Sequence, residues 1–139
     1  MSAYLDLKIR HQQEIEAFPM FFAFSSDQFE DGMAKIGVDP CDVNKLFSIG
    51  GGGYIRKSDK KAFVDMLNRH KKEMAEARKQ GDTLYDMIKY ELANHEYCVT
   101  YDSTDALAAL GLTMEEIKAD PMLWSVFKKA KKDYLAECE

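Results

Sequence analysis

The spacing of apolar residues predicts that most of this chain is helical. From Tyr4 to Phe18, apolar positions recur every three or four residues, and Pro19 ends this first helix. Ser25 and Gln28 have the spacing of a capping box and begin a second helix, which Gly37 closes. Each of these segments therefore has one apolar face available for packing.

The longest predicted helix runs from Asp59 to Gln80. Ser58 is its expected cap residue, and Gly81 ends it. Asp82 caps the next helix, which extends to about Asn94. Three later helix starts are marked by residues that favour helix caps, namely Thr104, Thr113 with Glu116, and Asp120 with Pro121.

Several short segments have the patterns of strands or turns. Two of them, Lys45 to Ile49 and Gly53 to Lys57, flank a run of glycines and predict a β-hairpin. The apolar spacing changes to two between Glu96 and Tyr101, which predicts a third strand. The aromatic run from Met20 to Phe24 fits a buried strand or an irregular core segment equally well. Asp39 with Pro40 predicts a brief helical turn.

Together these elements predict an α+β fold, a mainly helical single domain over residues 1–139 with a small antiparallel sheet that includes the glycine-rich hairpin. A length of 139 residues supports one core, and 46% hydrophobic with 31% charged residues is typical of a folded soluble protein. The chain lacks both an apolar run of the roughly 20 residues that span a bilayer and the apolar core of a signal peptide. We therefore predict a cytoplasmic protein without a membrane partner.

The cysteines and the absence of catalytic motifs argue against an enzyme. Cys41, Cys98 and Cys138 are odd in number and far apart in the sequence, so we predict three reduced thiols rather than disulfides or a paired zinc motif. Neither a GxSxG elbow nor a paired acid motif is present, and no pattern marks a thiol of lowered pKa. The sequence thus predicts no catalytic residue, no metal ligand set and no cofactor.

The most unusual segment is a glycine run with a basic end. It comprises Gly50, Gly51, Gly52, Gly53, Tyr54, Arg56 and Lys57. Each glycine in a folded segment costs roughly 0.5–1 kcal/mol relative to alanine, and a tight hairpin needs only one or two of them. The surplus indicates a loop that moves, or one whose amides face a partner or an anion. A Walker A loop is disfavoured because Arg56 stands where the second glycine is needed.

A strip of basic residues follows the glycine run onto the longest predicted helix. The basic face of this helix holds Lys60, Lys61, Lys71, Lys72, Arg78 and Lys79. We define the basic strip as the part predicted to bind a partner, namely Arg56, Lys57, Lys60, Lys61, Lys71 and Lys72. Residues 50–80 include nine basic and four acidic side chains, so this segment carries +5 and the rest of the chain carries −10. The strip fits nucleic-acid phosphates, an acidic protein surface, or a helix face that is merely solvated.

A second candidate site is a polar cluster near a predicted helix end. It comprises Glu91, Asn94, His95, Glu96 and Tyr97. Glu91 and His95 are four residues apart on one helix face, with Cys98 three further on, so a metal-dependent hydrolase is one interpretation, although no third ligand is evident. His95 also fits a hydrogen bond at the helix end. His11 and His70 lie on apolar helix faces, which predicts core or boundary positions.

Several stretches together resemble a family of uncharacterised small proteins of gut bacteria, often encoded on phages and conjugative elements. The stretches are 17–19 with 21–25, 28–29 with 32, 48–59, and 90–92 with 94–97. The resemblance covers most of the chain and has no chemistry attached. It implies an accessory role on a mobile element, such as inhibition of a host defence system, for example a CRISPR effector.

Three functional hypotheses follow from these patterns. The leading one is a non-enzymatic protein that binds a macromolecular partner, most simply a protein, through the glycine run and the basic strip. In one variant of it, the acidic remainder of the chain mimics nucleic acid. The alternatives are a nucleic-acid or phosphate binder that uses the same residues and a metal-dependent hydrolase at Glu91 and His95.

Overall fold

The computed structural model describes residues 2–138, which divide into two compact units. One comprises residues 9–71 and is called the hairpin unit here. The other comprises residues 2–8 with 72–138 and is called the terminal unit. Helices α1 (Ala3–Ala17) and α3 (Lys60–Arg78) supply residues to both units. The expected α+β fold, mainly helical with a small antiparallel sheet, is confirmed, whereas one domain over 1–139 stays a prediction.

The hairpin unit contains the sheet of the described chain. Its strands are β1 (Phe21–Phe22), β2 (Leu46–Gly50) and β3 (Gly53–Arg56), arranged in the order β1-β3-β2 with both pairings antiparallel. Helix α2 (Ser26–Lys35) follows β1, and a 3₁₀ turn at Val43–Lys45 precedes β2. The predicted glycine hairpin is therefore confirmed, and the aromatic run from Met20 to Phe24 supplies its third strand.

Aromatic packing explains why Phe21 forms a strand beside β3. Its ring stacks on that of Tyr54, with centroids 5.3 Å apart, and meets the Phe29 ring edge-on at 5.7 Å. Gly32 of α2 admits the Phe21 ring, because a Cβ atom at this position would lie 2.1 Å from Phe21 Cδ2. The buried apolar residues of this cluster are Phe21, Met33, Ile36, Val38 and Leu46.

The terminal unit is a helical assembly around a second apolar core. Its helices are α4 (Gly81–Asn94), α5 (Tyr97–Thr100), α6 (Thr104–Ala109), α7 (Met114–Ala119) and α8 (Pro121–Glu137), together with the end of α3. The longest of these five, α4 and α8, pack against each other. Fully buried side chains of this core include Tyr4, Leu84, Met87, Leu92, Leu107, Leu110, Ile117 and Phe127.

Several of the predicted helix caps are present. Ser25 accepts a hydrogen bond from the Gln28 N–H, although the Gln28 side chain accepts from Phe24 N–H rather than from Ser25. Thr113 accepts from Glu116 N–H at the start of α7. At the start of α8, the Asp120 carboxylate accepts from the next two free amides, and Pro121 occupies the first helical position. Short-range capping chemistry therefore marks these helix starts correctly.

Two other predicted starts are wrong. Ser58 lies inside a 3₁₀ turn at Lys57–Asp59 that leads into α3, and Asp82 lies in the first turn of α4 rather than at its cap. In both cases the helix start differs from the predicted one by one or two residues. Near Pro40 the expected brief turn is present without a longer helix, because the Asp39 carboxylate accepts from the Cys41 N–H and the Asp39 carbonyl accepts from the Asp42 N–H.

The strand predicted from Glu96 to Tyr101 is also wrong, because this segment forms α5. Glu96 and Tyr101 both have a positive φ, 52° and 55°, which an extended strand does not permit. Tyr97 and Tyr101 are four residues apart, so one helical turn brings their rings to 5.9 Å, and Tyr97 also packs on Tyr134. The spacing of Tyr97 and Tyr101, which fits the alternation of a strand, therefore also fits two residues one turn apart on a helix.

No helix among residues 2–138 is both long enough and apolar enough to cross a membrane. The expectation of no membrane partner stays a prediction. The cytoplasmic location stays a prediction.

Candidate functional site

The glycine run has a conformational explanation at its first three positions. Gly50, Gly51 and Gly52 have φ values of 86°, 60° and 82°, a region that only glycine enters readily. Gly50 pairs with Gly53 across the hairpin, so Gly51 and Gly52 form a two-residue turn. Positive φ at both turn residues matches the right-handed twist of the two strands.

The last two glycines are needed because side chains lie directly on the main chain. A Cβ atom on Gly52 would lie 2.6 Å from the Phe24 ring, and one on Gly53 would lie 2.8 Å from Ile49 and 2.9 Å from the Phe22 ring. The turn and these contacts together account for all four glycines. Aromatic rings therefore cover the main chain on this side of the hairpin, and partner binding by the glycine amides stays a prediction.

Two phenylalanines are prominently exposed beside the hairpin. Phe22 is 56% exposed and Phe24 is 79% exposed, whereas large apolar side chains are usually more buried. They line a groove of about 760 Å³, whose apolar lining includes Ile15, Met20 and Phe21. We call this feature the aromatic groove. The sequence analysis did not select it, although a period-two pattern places Phe22 and Phe24 on the side opposite the buried Phe21.

The aromatic groove adjoins an edge strand of the sheet. Because β1 is an edge strand in the order β1-β3-β2, its outer side has no strand partner among the described residues. Such an edge can accept an added strand from another chain. The polar residues of the groove lining are Gln12, Glu16, Gln28, Asp31 and Lys35.

Half of the basic strip has partners within the protein. Arg56 pairs with Asp59 at 2.7 Å and donates a hydrogen bond to the Ile36 carbonyl. Lys60 lies 4.5 Å from the centre of the Phe47 ring, and Lys61 pairs with Asp65 at 3.0 Å in an exposed ion pair. The remaining members, Lys57, Lys71 and Lys72, are exposed.

The basic strip as one binding surface stays a prediction. Lys72 belongs to the terminal unit, whereas the other members belong to the hairpin unit. Within the hairpin unit, Arg56 and Lys57 join Lys45 and Ser58 in lining a cavity of about 250 Å³.

Glu91 is fully buried and is the centre of a hydrogen-bond network within the terminal unit. The Tyr4 hydroxyl and the Lys8 ammonium each lie 2.7 Å from its Oε1 atom, while His95 at 3.2 Å and Asn94 at 3.4 Å contact Oε2. Burial raises the pKa of Glu91, but the hydrogen bonds from Lys8 and Tyr4 outweigh it and leave the pKa below its ordinary value.

The predicted polar cluster is thus brought together only in part. Glu91, Asn94 and His95 meet, whereas Glu96 is exposed and Tyr97 packs against Tyr134. Within residues 2–138, no group of three or more His, Cys, Asp or Glu side chains is arranged to hold a metal ion. A buried carboxylate that already accepts from several donors fits a structural role, tying the start of α1 to α4.

A second polar cluster, which the sequence analysis missed, joins α1 to α3 within the hairpin unit. Glu14 Oε2 lies 2.9 Å from His70 Nε2 and also pairs with Arg69. The His70 ring stacks on the ring of His11, with centroids 3.9 Å apart, and both histidines are buried as predicted. Hydrogen bonds from Arg69 and then from His70 lower the pKa of Glu14 to about 2. Nothing in the sequence indicates this pairing, because the partners are more than 50 residues apart.

Comparison with known proteins gives a family without an assigned activity. No curated protein and no solved structure matches the chain. The association with gut bacteria, phages and conjugative elements stays a prediction from the resemblance. A family model does match residues 3–133, which is nearly the whole chain, and the protein therefore belongs to DUF7659, a family of unknown function.

Proposed function

We propose that this protein is a non-enzymatic binding protein and that its hairpin unit takes up an extended apolar segment of a partner protein. The observation that carries the proposal is the exposure of Phe22 and Phe24, 56% and 79%, beside a groove of about 760 Å³. Contiguous exposed apolar surface of this kind often marks an interaction site. The segment lies along β1 and adds a fourth strand to the sheet.

The two phenylalanines act as anchors in this proposal. Fully burying a phenylalanine side chain contributes about 1.5–3 kcal/mol, and aromatic residues dominate the energy of many interfaces. Because Gly52 and Gly53 lack side chains, the rings of Phe24 and Phe22 contact the hairpin main chain. Contact with the glycine main chain restricts the rings before a partner arrives, which reduces the entropy lost on binding.

The charge of the groove indicates the chemistry of the partner. Glu16 and Asp31 are exposed in its lining, and α2 carries two further exposed carboxylates at Asp27 and Glu30. Lys35 is the basic residue of the lining. Complementary charges favour encounter, so the bound segment carries lysine or arginine beside its apolar residues. The same carboxylates repel nucleic-acid phosphates at this site.

Selection from a library of random displayed peptides tests this proposal. We expect wild-type protein to enrich apolar sequences that contain Lys or Arg, and the double substitution Phe22→Ser with Phe24→Ser to weaken the best synthetic peptide at least about tenfold. Val99→Ala is the matched control, because Val99 is 74% exposed but belongs to the terminal unit. Failure to enrich any sequence, or equal loss of affinity in the control, contradicts the proposal.

Charge reversal tests the partner chemistry separately. The substitutions Glu16→Lys and Asp31→Lys leave both phenylalanines in place, so they weaken binding of a lysine-containing peptide while a neutral analogue binds as before. The difference shrinks as salt is added, because exposed charges are screened. Equal effects on the two peptides contradict the proposed preference for a basic partner. They do not contradict binding of an apolar segment by Phe22 and Phe24.

A second proposal is phosphate binding at the cavity lined by Lys45, Arg56, Lys57 and Ser58. Three basic side chains in the lining favour an anion, although the carboxylates of Asp39 and Asp42 also line the cavity. Lys45 pairs with Asp42 at 3.3 Å, and Arg56 pairs with Asp59. A titration with nucleotides and short nucleic acids at low salt decides the matter. Binding that is lost in Lys57→Ala supports it, and no binding at any salt concentration contradicts it.

An accessory role on a mobile element, including inhibition of a host defence system such as a CRISPR effector, is a further proposal that depends on the resemblance. Its test is phage survival in cells with an active CRISPR system, with and without the protein. Protection that disappears when Phe22 and Phe24 are replaced by serine connects this role to the aromatic groove. Unchanged survival across the CRISPR types assayed contradicts the role in those systems.

A further inference from the structure

One face of α8 in the terminal unit carries a group of lysines that the sequence analysis did not select. Lys131 and Lys132 follow Lys128 by three and four residues. At about 100° per residue, these spacings place the three side chains within an arc of about 100° on the helix surface. Lys128 and Lys132 are exposed, and Lys131 is partly exposed. We call these three residues the α8 lysine face.

Aromatic rings lie beneath two of these lysines. The Nζ atom of Lys128 is 5.4 Å from the centre of the Trp124 ring, and that of Lys131 is 5.8 Å from the centre of the Phe127 ring. The two rings are nearly parallel, with centroids 6.1 Å apart, and Phe127 is buried in the core. Attraction between an ammonium group and an aromatic ring restricts both lysines before a ligand arrives, which reduces the entropy lost on binding.

The acidic side chains of α8 and of its cap have other partners. Asp120 caps the first turn of the helix. Asp133 accepts a hydrogen bond from the Tyr85 hydroxyl, and Glu137 pairs with Lys89. Within residues 2–138, no carboxylate forms an ion pair with a member of the α8 lysine face. This face therefore keeps its positive charge, in contrast to the basic strip, half of whose members have partners.

Lys129, a further lysine of α8, is not part of this face. Its Nζ atom lies 5.2 Å from the centre of the Tyr85 ring, in a groove that Asp82 and Asp86 also line. Those carboxylates offset the positive charge of Lys129. On the α8 lysine face, by contrast, like charges three and four residues apart repel each other and destabilise the helix. A bound polyanion removes that repulsion.

We propose that the α8 lysine face binds the phosphate backbone of double-stranded DNA. Its three ammonium groups are carried by about 6 Å of helix axis, and duplex DNA has one negative charge per about 1.7 Å of its axis. Acidic side chains on one face of an extended peptide are about 7 Å apart, so such a peptide matches this charge density less well.

Binding titrations at several salt concentrations test this proposal, with the full chain, a short labelled DNA duplex and fluorescence anisotropy as the readout. If three lysines contact phosphates, a plot of log Kd against log salt concentration has a slope of about 2.7. The double substitution Lys128→Gln with Lys132→Gln should lower the slope to about 1 and weaken binding at low salt at least about tenfold. A duplex of unrelated sequence should bind equally, because lysine contacts phosphate as a point charge. No binding at low salt overturns the proposal.

Control variants in the hairpin unit distinguish this face from the other proposed surfaces. Lys60→Gln with Lys61→Gln removes the same charge from α3, and Lys57→Ala changes the proposed phosphate cavity, so neither should change the salt slope. Phe22→Ser with Phe24→Ser should also leave DNA binding unchanged, so the peptide-binding proposal and this one can fail independently. Loss of DNA binding in a lysine control, with binding retained in the α8 variant, overturns the proposal.

Trp124 gives a second readout at the face itself, because it is the single tryptophan of the chain and its ring lies beneath Lys128. We expect DNA to change its fluorescence with the same midpoint as the anisotropy. Polyglutamate represents an acidic protein segment as the partner, and it should bind more weakly than DNA at equal salt. Unchanged Trp124 fluorescence at saturating DNA, or polyglutamate binding through the same lysines at least as tightly as DNA, overturns the proposal.

Discussion

At the scale of single residues, either a positive φ or close approach to the main chain explains each of these glycines. Gly50 and Gly51 have open space where a Cβ atom would be, whereas Gly52, Gly53 and Gly32 lie against aromatic rings. In the glycine run, positive φ therefore explains Gly50, Gly51 and Gly52, and contact with side chains explains Gly53 and adds a second constraint at Gly52. An amino-acid sequence shows that a glycine is present but not which ring lies on it.

Gly32→Ala tests this interpretation in the hairpin unit. Alanine favours the helix by about 1 kcal/mol, but its Cβ atom would lie 2.1 Å from the buried Phe21 ring. Overpacking of a core typically costs about 1–3 kcal/mol, so we expect a net loss of unfolding free energy in urea titrations. Gly81→Ala is the control, because Gly81 has open space at the start of α4. A stabilised Gly32→Ala variant would contradict the packing described here.

At the scale of elements, buried and partly buried polar side chains connect pairs of helices. The apolar faces of these helices do not by themselves determine which helices pack together. Glu14 of α1 binds Arg69 and His70 of α3 within the hairpin unit. Glu91 of α4 binds Tyr4 and Lys8 of α1 within the terminal unit. Each contact joins residues far apart in the sequence, and each carboxylate has a pKa below its ordinary value. Because of these contacts, the free energy of unfolding depends on pH in the acidic range.

The stability of the hairpin unit should fall in acid because of Glu14. Its pKa is about 2 in the folded protein and close to 4.3 in an unfolded chain. A lowered pKa stabilises the folded state above the unfolded value, and that contribution disappears as the pH falls from about 4.3 to 2. Urea titrations over this range should show a weaker pH dependence for Glu14→Gln than for wild type. Glu30→Gln, at an exposed position on α2, should retain the wild-type slope.

The helical form of α5 can be tested at the residue that ends it. Tyr101 has a φ of 55° and its side chain is 70% exposed. Glycine adopts this conformation without the penalty of about 1 kcal/mol that other residues incur. Tyr101→Gly should therefore leave the unfolding free energy unchanged or raise it, despite the loss of the Tyr97 ring contact. Clear destabilisation, as for glycine placed in a strand, would instead favour the extended form.

At the scale of the whole molecule, two compact units share the helices α1 and α3. Because unfolding of one unit frays helices that continue in the other, we expect cooperative unfolding of the entire chain. Trp124 is the single tryptophan and lies in α8 of the terminal unit. Its fluorescence and the far-ultraviolet circular dichroism should therefore give the same urea midpoint. Separate midpoints would show that the two units unfold independently.

The sequence by itself determined the elements that depend on neighbours a few residues away. The helical spacing from Tyr4 to Phe18, the glycine turn of the hairpin and the caps at Thr113 and Asp120 all act over short distances. These elements can be predicted from the sequence, because their hydrogen bonds join side chains to the main chain of residues only a few positions away.

Only the tertiary structure decided which distant segments meet. It selected Phe21–Phe22 rather than residues 96–101 as the third strand, because aromatic packing on Tyr54 and Phe29 holds that segment beside β3. It also paired Glu14 with His70, and it left Phe22 and Phe24 at the surface. Such pairings depend on how buried faces fit together, which periodicity along the chain does not specify.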